Sequence, residues 1–202
     1  MDTRGTQGTK KAGYEYLLAW KITVPIYDYT VIFCKRWRQL LSSVRTFDQM
    51  VQAARSGTQN VSEGNQQSSL EGYIKLTGVN IGSLEELLRD FLAFARQNGI
   101  GIWEKGKCIR EIREIGELWK ILKKTPTLPD NPKFPELPYD LEKAVNLMIT
   151  LVHQAHFLQV KLKESLEKKF VREGGFRENL FKKRMDYRKK SGTGFGPSTG
   201  AP

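Results

Sequence analysis

The side chains with chemistry to offer are few and scattered. His153 and His156 stand three residues apart, a spacing that puts both on one face of a helix. The surrounding VHQAHF adds no carboxylate or thiol, so the further ligands that a metal needs are missing. The pair reads as structural or solvated. Cys34 and Cys108 are the only cysteines; two are too few for a disulfide framework. They read as reduced thiols in a cytoplasmic protein, small buried hydrophobes rather than nucleophiles. Glu63, Glu71, Glu85 and Glu86 could pair for acid–base work, yet helix capping and salt bridging explain them more simply. The glycines at 99, 101 and 106 precede no GK[ST] signal, so no phosphate loop of the Walker type is present. No catalytic constellation is recognisable, and a hydrolase or nuclease has no motif behind it. The expectation is a protein that is not an enzyme and uses no cofactor or metal.

What remains is cationic. Thirty-three Lys and Arg face 22 Asp and Glu, a formal charge of +11, which favours a polyanionic partner. Residues 161–190 alone carry twelve basic and five acidic side chains, net +7. Lys168, Lys169, Arg172, Arg177, Lys182, Lys183, Arg184, Arg188, Lys189 and Lys190 can each neutralise a phosphate, in binding that is salt-dependent and largely sequence-independent. Phe176, Phe181 and Tyr187 are interleaved with them and can stack on unpaired bases. The competing reading is a solvated helix face whose aromatics dock on the body of the protein.

These residues need elements to hold them. Residues 1–13 and 191–202 are rich in Gly, Thr, Ser and Pro or Lys and read as disordered. Residues 14–41 are ambiguous: Leu18, Ile22, Pro25, Tyr29 and Ile32 fall at helical spacing, but β-branched residues crowd the centre and Pro25 interrupts it. Thr46 to Gln49 fits a capping box opening a helix to about Gly64, with small residues Ala53, Ala54, Ser56 and Gly57 at its centre. Ser68 to Glu71 fits a second box. After it, Leu70, Ile74, Thr77, Ile81, Leu84, Leu88, Phe91 and Ala95 keep a strict helical stripe, widened by Tyr73, Leu76, Leu87 and Phe94. Such a helix is buried on two sides, as in a bundle that also oligomerises. Residues 104–124 suggest one amphipathic helix, and five prolines in 125–138 an extended connector. Asp140 caps a long helix that ends at Gly174-Gly175, and a short basic helix, 177–190, follows. No leader opens the chain, and no apolar run approaches the roughly 20 residues that span a bilayer; no membrane association is expected.

Residues 49–91, QMVQAARSGTQNVSEGNQQSSLEGYIKLTGVNIGSLEELLRDF, resemble the signature of a family of small bacterial four-helix-bundle proteins. That family includes proteins encoded in intervening sequences of large-subunit ribosomal RNA and the accessory variability protein of diversity-generating retroelements. The residues that carry the likeness are Gln49, Ala53, Ala54 and Ser56, then Asn60, Glu63 and Gly64, then Gly82, Ser83, Leu84 and Glu86. YEYLLAW near the start resembles the family's opening helix, and EGGFRENLFKKRMDYRKK looks like the suffix of a longer subgroup. The resemblance implies an all-α, up-down four-helix bundle over residues 14–172, with 100–138 inserted and 173–190 as a basic helical extension. It resolves residues 14–41 as helix. It also implies a homopentamer, a nucleic acid partner (RNA or DNA) and, in the retroelement branch, a reverse transcriptase partner; in the other branch it implies a protein-interaction scaffold. The family usually places a basic residue just before the Ala-Ala pair. Here Gln52 stands there and Arg55 follows the pair, so Arg55 is the candidate contact on that face and the suffix carries the larger charge.

Overall fold

The computed structural model describes residues 11–191, and among these every regular element is helical. A short 3-10 turn, Gly13–Tyr16, leads into α1, Leu18–Lys21, and α2, Thr23–Arg36. The β-branched run is therefore a helix, and its burial pattern gives the reason. Ile22, Ile26, Tyr29 and Phe33 form one buried stripe, and a helix puts all four on the core side where a strand would not. Pro25 leaves its mark at Ile22, which separates α1 from α2. It sits in the first turn of α2, where its missing N–H is not needed, but it cannot bond the Lys21 carbonyl four residues back. Thr23 Oγ1 donates to Trp20 O at 2.7 Å across the break.

Two helix starts differ from the sequence reading. α3, Val44–Asn65, is capped by Ser43, whose hydroxyl accepts from Thr46 N at 3.1 Å; Thr46 is inside the first turn, not at the cap. α4, Leu70–Gln97, is capped by Ser69, which accepts from Gly72 N at 3.1 Å, one residue later than Ser68. The cap at Asp140 stands as expected: it accepts from Lys143 N at 2.8 Å and opens α7, Leu141–Glu173. α8, Phe176–Lys190, follows.

α3 packs on α2 and on α4, α4 packs on α7, and α7 closes back on α2. The small residues of α3 allow the close approach. A Cβ on Gly57 would lie 3.5 Å from Thr23 of α2 and 3.7 Å from Asn80 of α4. Phe33 stands at the centre, with Phe91 at 5.1 Å and Phe94 at 5.0 Å, both edge-on.

Residues 104–124 are not one helix. They form α5, Lys105–Glu111, and α6, Arg113–Lys124, broken at Ile112 with ψ 89. The bend leaves Ile112 and Cys108 both buried. Residues 125–138 are extended as expected, and they are tied down by one helix face. Lys21 Nζ donates to the carbonyls of Leu122 and Thr125 at 2.6 and 2.8 Å. Tyr29 Oη donates to Pro135 O at 2.6 Å. Arg36 donates to the carbonyls of Leu137 and Pro138 at 3.0 and 2.8 Å. Lys21, Tyr29 and Arg36 are spaced two helical turns apart, so they line one edge. A proline-rich strip has carbonyls but few N–H groups, and side-chain donors from α1 and α2 satisfy them.

The expected disorder at both ends falls mostly outside the described residues. Within them, Lys11 pairs with Asp130 at 2.6 Å and Ala12 N donates to Glu15 at 3.0 Å. Among the described residues no helix is long and apolar enough to cross a membrane.

Candidate nucleic-acid interface

The cationic residues fall into two groups with different surroundings. Those on the last turns of α7 are partly neutralised. Lys169 Nζ lies 3.9 Å and Arg172 Nη2 2.9 Å from the Glu173 carboxylate, and Lys168 lies close enough to Glu164 to hold its carboxyl below the usual range, behind the larger effect of the Lys161 hydrogen bond. On α8, by contrast, Arg177, Lys182, Lys183, Arg184, Arg188, Lys189 and Lys190 are all exposed, and none forms an ion pair among the described residues. Free cations are the ones that can exchange their counterions for phosphates.

α8 projects from the body at a glycine pair. Gly174 has φ +77, a left-handed conformation that favours glycine. Gly175 is buried where α7 passes the start of α4: a Cβ there would overlap the Glu71 carboxylate and lie 3.0 Å from the Phe170 ring. Glu178 accepts from Gly175 N at 3.2 Å and opens the new helix.

The aromatics of α8 do not dock on the body. Phe176 is 48% exposed, Phe181 64% and Tyr187 72%. The competing reading of the sequence, in which they pack inward, is overturned. Their arrangement is ordered all the same. At 3.6 residues per turn, Phe176, Leu180 and Tyr187 form one row along α8, and Phe181 and Met185 form a second. Arg177, Arg184 and Arg188 form a row between the two. The four lysines, with Glu178 and Asp186, occupy the other half of the helix. Arginine and lysine are thus sorted, and every arginine is flanked by rings or apolar chains. Guanidinium groups stack and bind phosphate bidentately, which an ammonium does not. Sequence reading found the residues but not the sorting, which needs the register of a helix begun at Phe176 rather than a count of charges.

Arg55 stands apart from this cluster, exposed in the middle of α3. The likeness-bearing residues divide in two. Ala54 and Gly64 are buried in helix packing, whereas Gln49, Ser56, Ser83 and Glu86, with the buried Ala53 at their base, line a shallow cleft of about 590 Å³ between α3 and α4. Gln52 lines it too, with Arg45, Asp48 and Asp90. Burial, and then the charge of Glu86, raise the Asp90 carboxyl above its usual range. Three carboxylates stand against one arginine in this cleft, a balance unfavourable to phosphate.

The remaining candidates lie apart from α8. His156 lies 4.0 Å from Glu85 on the protein surface, and among the described residues no group of three His, Cys, Asp or Glu is placed to hold a metal. Cys34 and Cys108 are buried in the core; burial pushes the Cys34 thiol up to about 12. Compared with known protein families, with curated proteins and with solved structures, the chain matches none of them.

Proposed function

We propose that the protein is a non-enzymatic, nucleic-acid-binding accessory protein that engages single strands through α8. The carrying observation is the unpaired arginine row between two exposed apolar rows. Bases stacked on Phe176, Phe181 and Tyr187 gain about 1–3 kcal/mol each, and the arginines between them hold the phosphates. The same pattern argues against a lipid surface, because the arginines sit in the middle of the apolar half that a bilayer would have to bury. The resemblance supports the wider frame: an up-down bundle built from α2, α3, α4 and α7, a cytoplasmic homopentamer, and a reverse transcriptase of a diversity-generating retroelement as the protein partner.

The test is binding of labelled single-stranded RNA, single-stranded DNA and duplex across a salt series. Single strands are expected to bind tighter, with affinity falling as salt rises. The triple variant Arg177→Lys, Arg184→Lys, Arg188→Lys keeps the charge and is expected to lose about tenfold or more, since a lysine neither stacks nor forks. Unchanged affinity in that variant removes the sorted face as the cause; no binding at low salt removes the nucleic-acid reading itself.

A second reading is the protein-interaction scaffold. It is favoured by Leu180 and Met185 on α8 and Val79 on α4, apolar side chains open to solvent. Partners captured with the protein that survive nuclease treatment support it over the first.

A further inference from the structure

A second recognition surface lies where the inserted segment meets α7. It is a groove of about 830 Å³, within the size range of small-ligand sites. Ile102, Trp103 and Trp119 line it from residues 102–119, and Ile149, Phe157 and Leu158 from α7. Ile102 is 50% and Phe157 58% exposed, so apolar surface faces solvent here. The lining is held in place. Asn146, buried on α7, donates to Gly101 O at 2.9 Å and accepts from Trp103 N at 2.7 Å, which fixes the start of the insertion against the helix.

Two features define what fits. The indole N–H groups and the Thr150 hydroxyl proton are already engaged, so most of the lining offers no donor, the Gln154 amide N–H2 apart. Trp103 Nε1 donates to Glu142, Trp119 Nε1 donates to Gln154 Oε1 at 2.7 Å, and Thr150 Oγ1 donates to Asn146 O at 2.8 Å. The body of an occupant must therefore be apolar. The polar residues of the lining are Lys105, Lys123, Thr150, His153 and Gln154, and no carboxylate lines the groove. Lys105 and Lys123 form no ion pair among the described residues; Lys123 Nζ lies 5.5 Å from the centre of the Trp119 ring. The head of an occupant must therefore be anionic.

We propose that this groove binds a small amphiphilic carboxylate, its chain or ring laid against the indoles and Phe157 and its carboxylate beside a lining lysine, Lys105 or Lys123. The proposal stands independently of nucleic-acid binding by α8. A nucleotide is disfavoured by the same chemistry, since its sugar and base edges would find few partners in a lining that is mostly apolar.

The experiment uses the full chain and three probes below their micelle concentrations: dodecanoate, dodecanol and dodecyltrimethylammonium. Each is titrated against bound 1-anilinonaphthalene-8-sulfonate, with tryptophan emission read in parallel. Dodecanoate is expected to displace the dye at concentrations about tenfold lower than dodecanol, the size of one charge-assisted contact, and the cationic probe not at all. In the variant Lys105→Gln with Lys123→Gln, both on the surface, the preference for dodecanoate is expected to vanish while dodecanol is unaffected. Ile102→Trp, at an exposed position, is expected to narrow the groove and weaken both. Equal displacement by all three probes overturns the proposal. So does a preference for dodecanoate that persists in the double lysine variant, which places the anion on another cationic surface such as α8. So does an oligomer that Phe157→Asp dissociates and that binds no dodecanoate, which makes the face an interface between copies.

Discussion

Lys21 shows how much a single side chain can organise here. The residue is 3% exposed, and its ammonium reaches the carbonyls that end α6, where the helix dipole is negative. Burial lowers its pKa, yet without the ammonium two or three carbonyls lose their partner. Lys21→Met is expected to cost about 2 kcal/mol, the scale of charged hydrogen bonds. It would be read as a lower urea midpoint at unchanged slope. Asp90 makes the opposite kind of statement. Its folded pKa is raised by burial and by Glu86, so the ionised form is the disfavoured one in the fold. That cost is full above the folded pKa and is relieved as pH falls through it toward the unfolded value. Against Asp90→Asn, the wild type is therefore expected to gain relative stability on acidification from neutral pH. A stability difference that stays constant with pH would contradict this. Cys34, with its thiol pushed up to about 12, and the buried Cys108 are expected to react with Ellman's reagent only after denaturation.

Elements were legible where local chemistry decided them and misplaced where it did not. The stripe of α4 and the cap at Asp140 follow from spacing alone. The start of α3 is hidden in the sequence because the cap pattern expects Glu or Gln three residues on. Ser43 has Thr46 there, while Thr46 has Gln49; the hydroxyl that caps lacks the motif, and the one with the motif does not cap. The break at Ile112 has no local signal, since Cys108, Ile112, Ile115, Leu118 and Leu122 keep helical spacing across it; it is set by tertiary packing. The basic arm was legible as charge, but its sorted face needed the helix register. The apolar groove was invisible because its lining comes from five segments between residues 18 and 158. The Gly174-Gly175 stop was visible, and its tightness was not. Gly175→Ala puts a methyl against the Glu71 carboxylate, the free end of an exposed side chain, and is expected to shift the start of α8 while changing global stability by less than about 0.5 kcal/mol. The altered exit angle of α8 is expected to appear as faster hydrogen exchange in residues 170–178.

At the scale of the whole molecule, stability and charge lie in different parts of the chain. The buried apolar core begins at Ala19 and ends at Leu166 among the described residues, and α8 contributes no buried residue to it. Residues 174–202 carry seven basic and two acidic side chains, so removing them lowers the net charge from +11 to +6. A chain ending at Glu173 is expected to melt within about 2 °C of the full protein, because no core side chain is lost and exposed helices contribute little. The same truncation is expected to abolish single-strand binding and to flatten the salt dependence by about 0.7 per phosphate contact removed. Binding that survives truncation would move the interface to the paired cations of α7 or to Arg55. A large drop in melting temperature would show that α8 is covered by a second copy or another face of the molecule, and that its exposed rings serve assembly before they serve recognition.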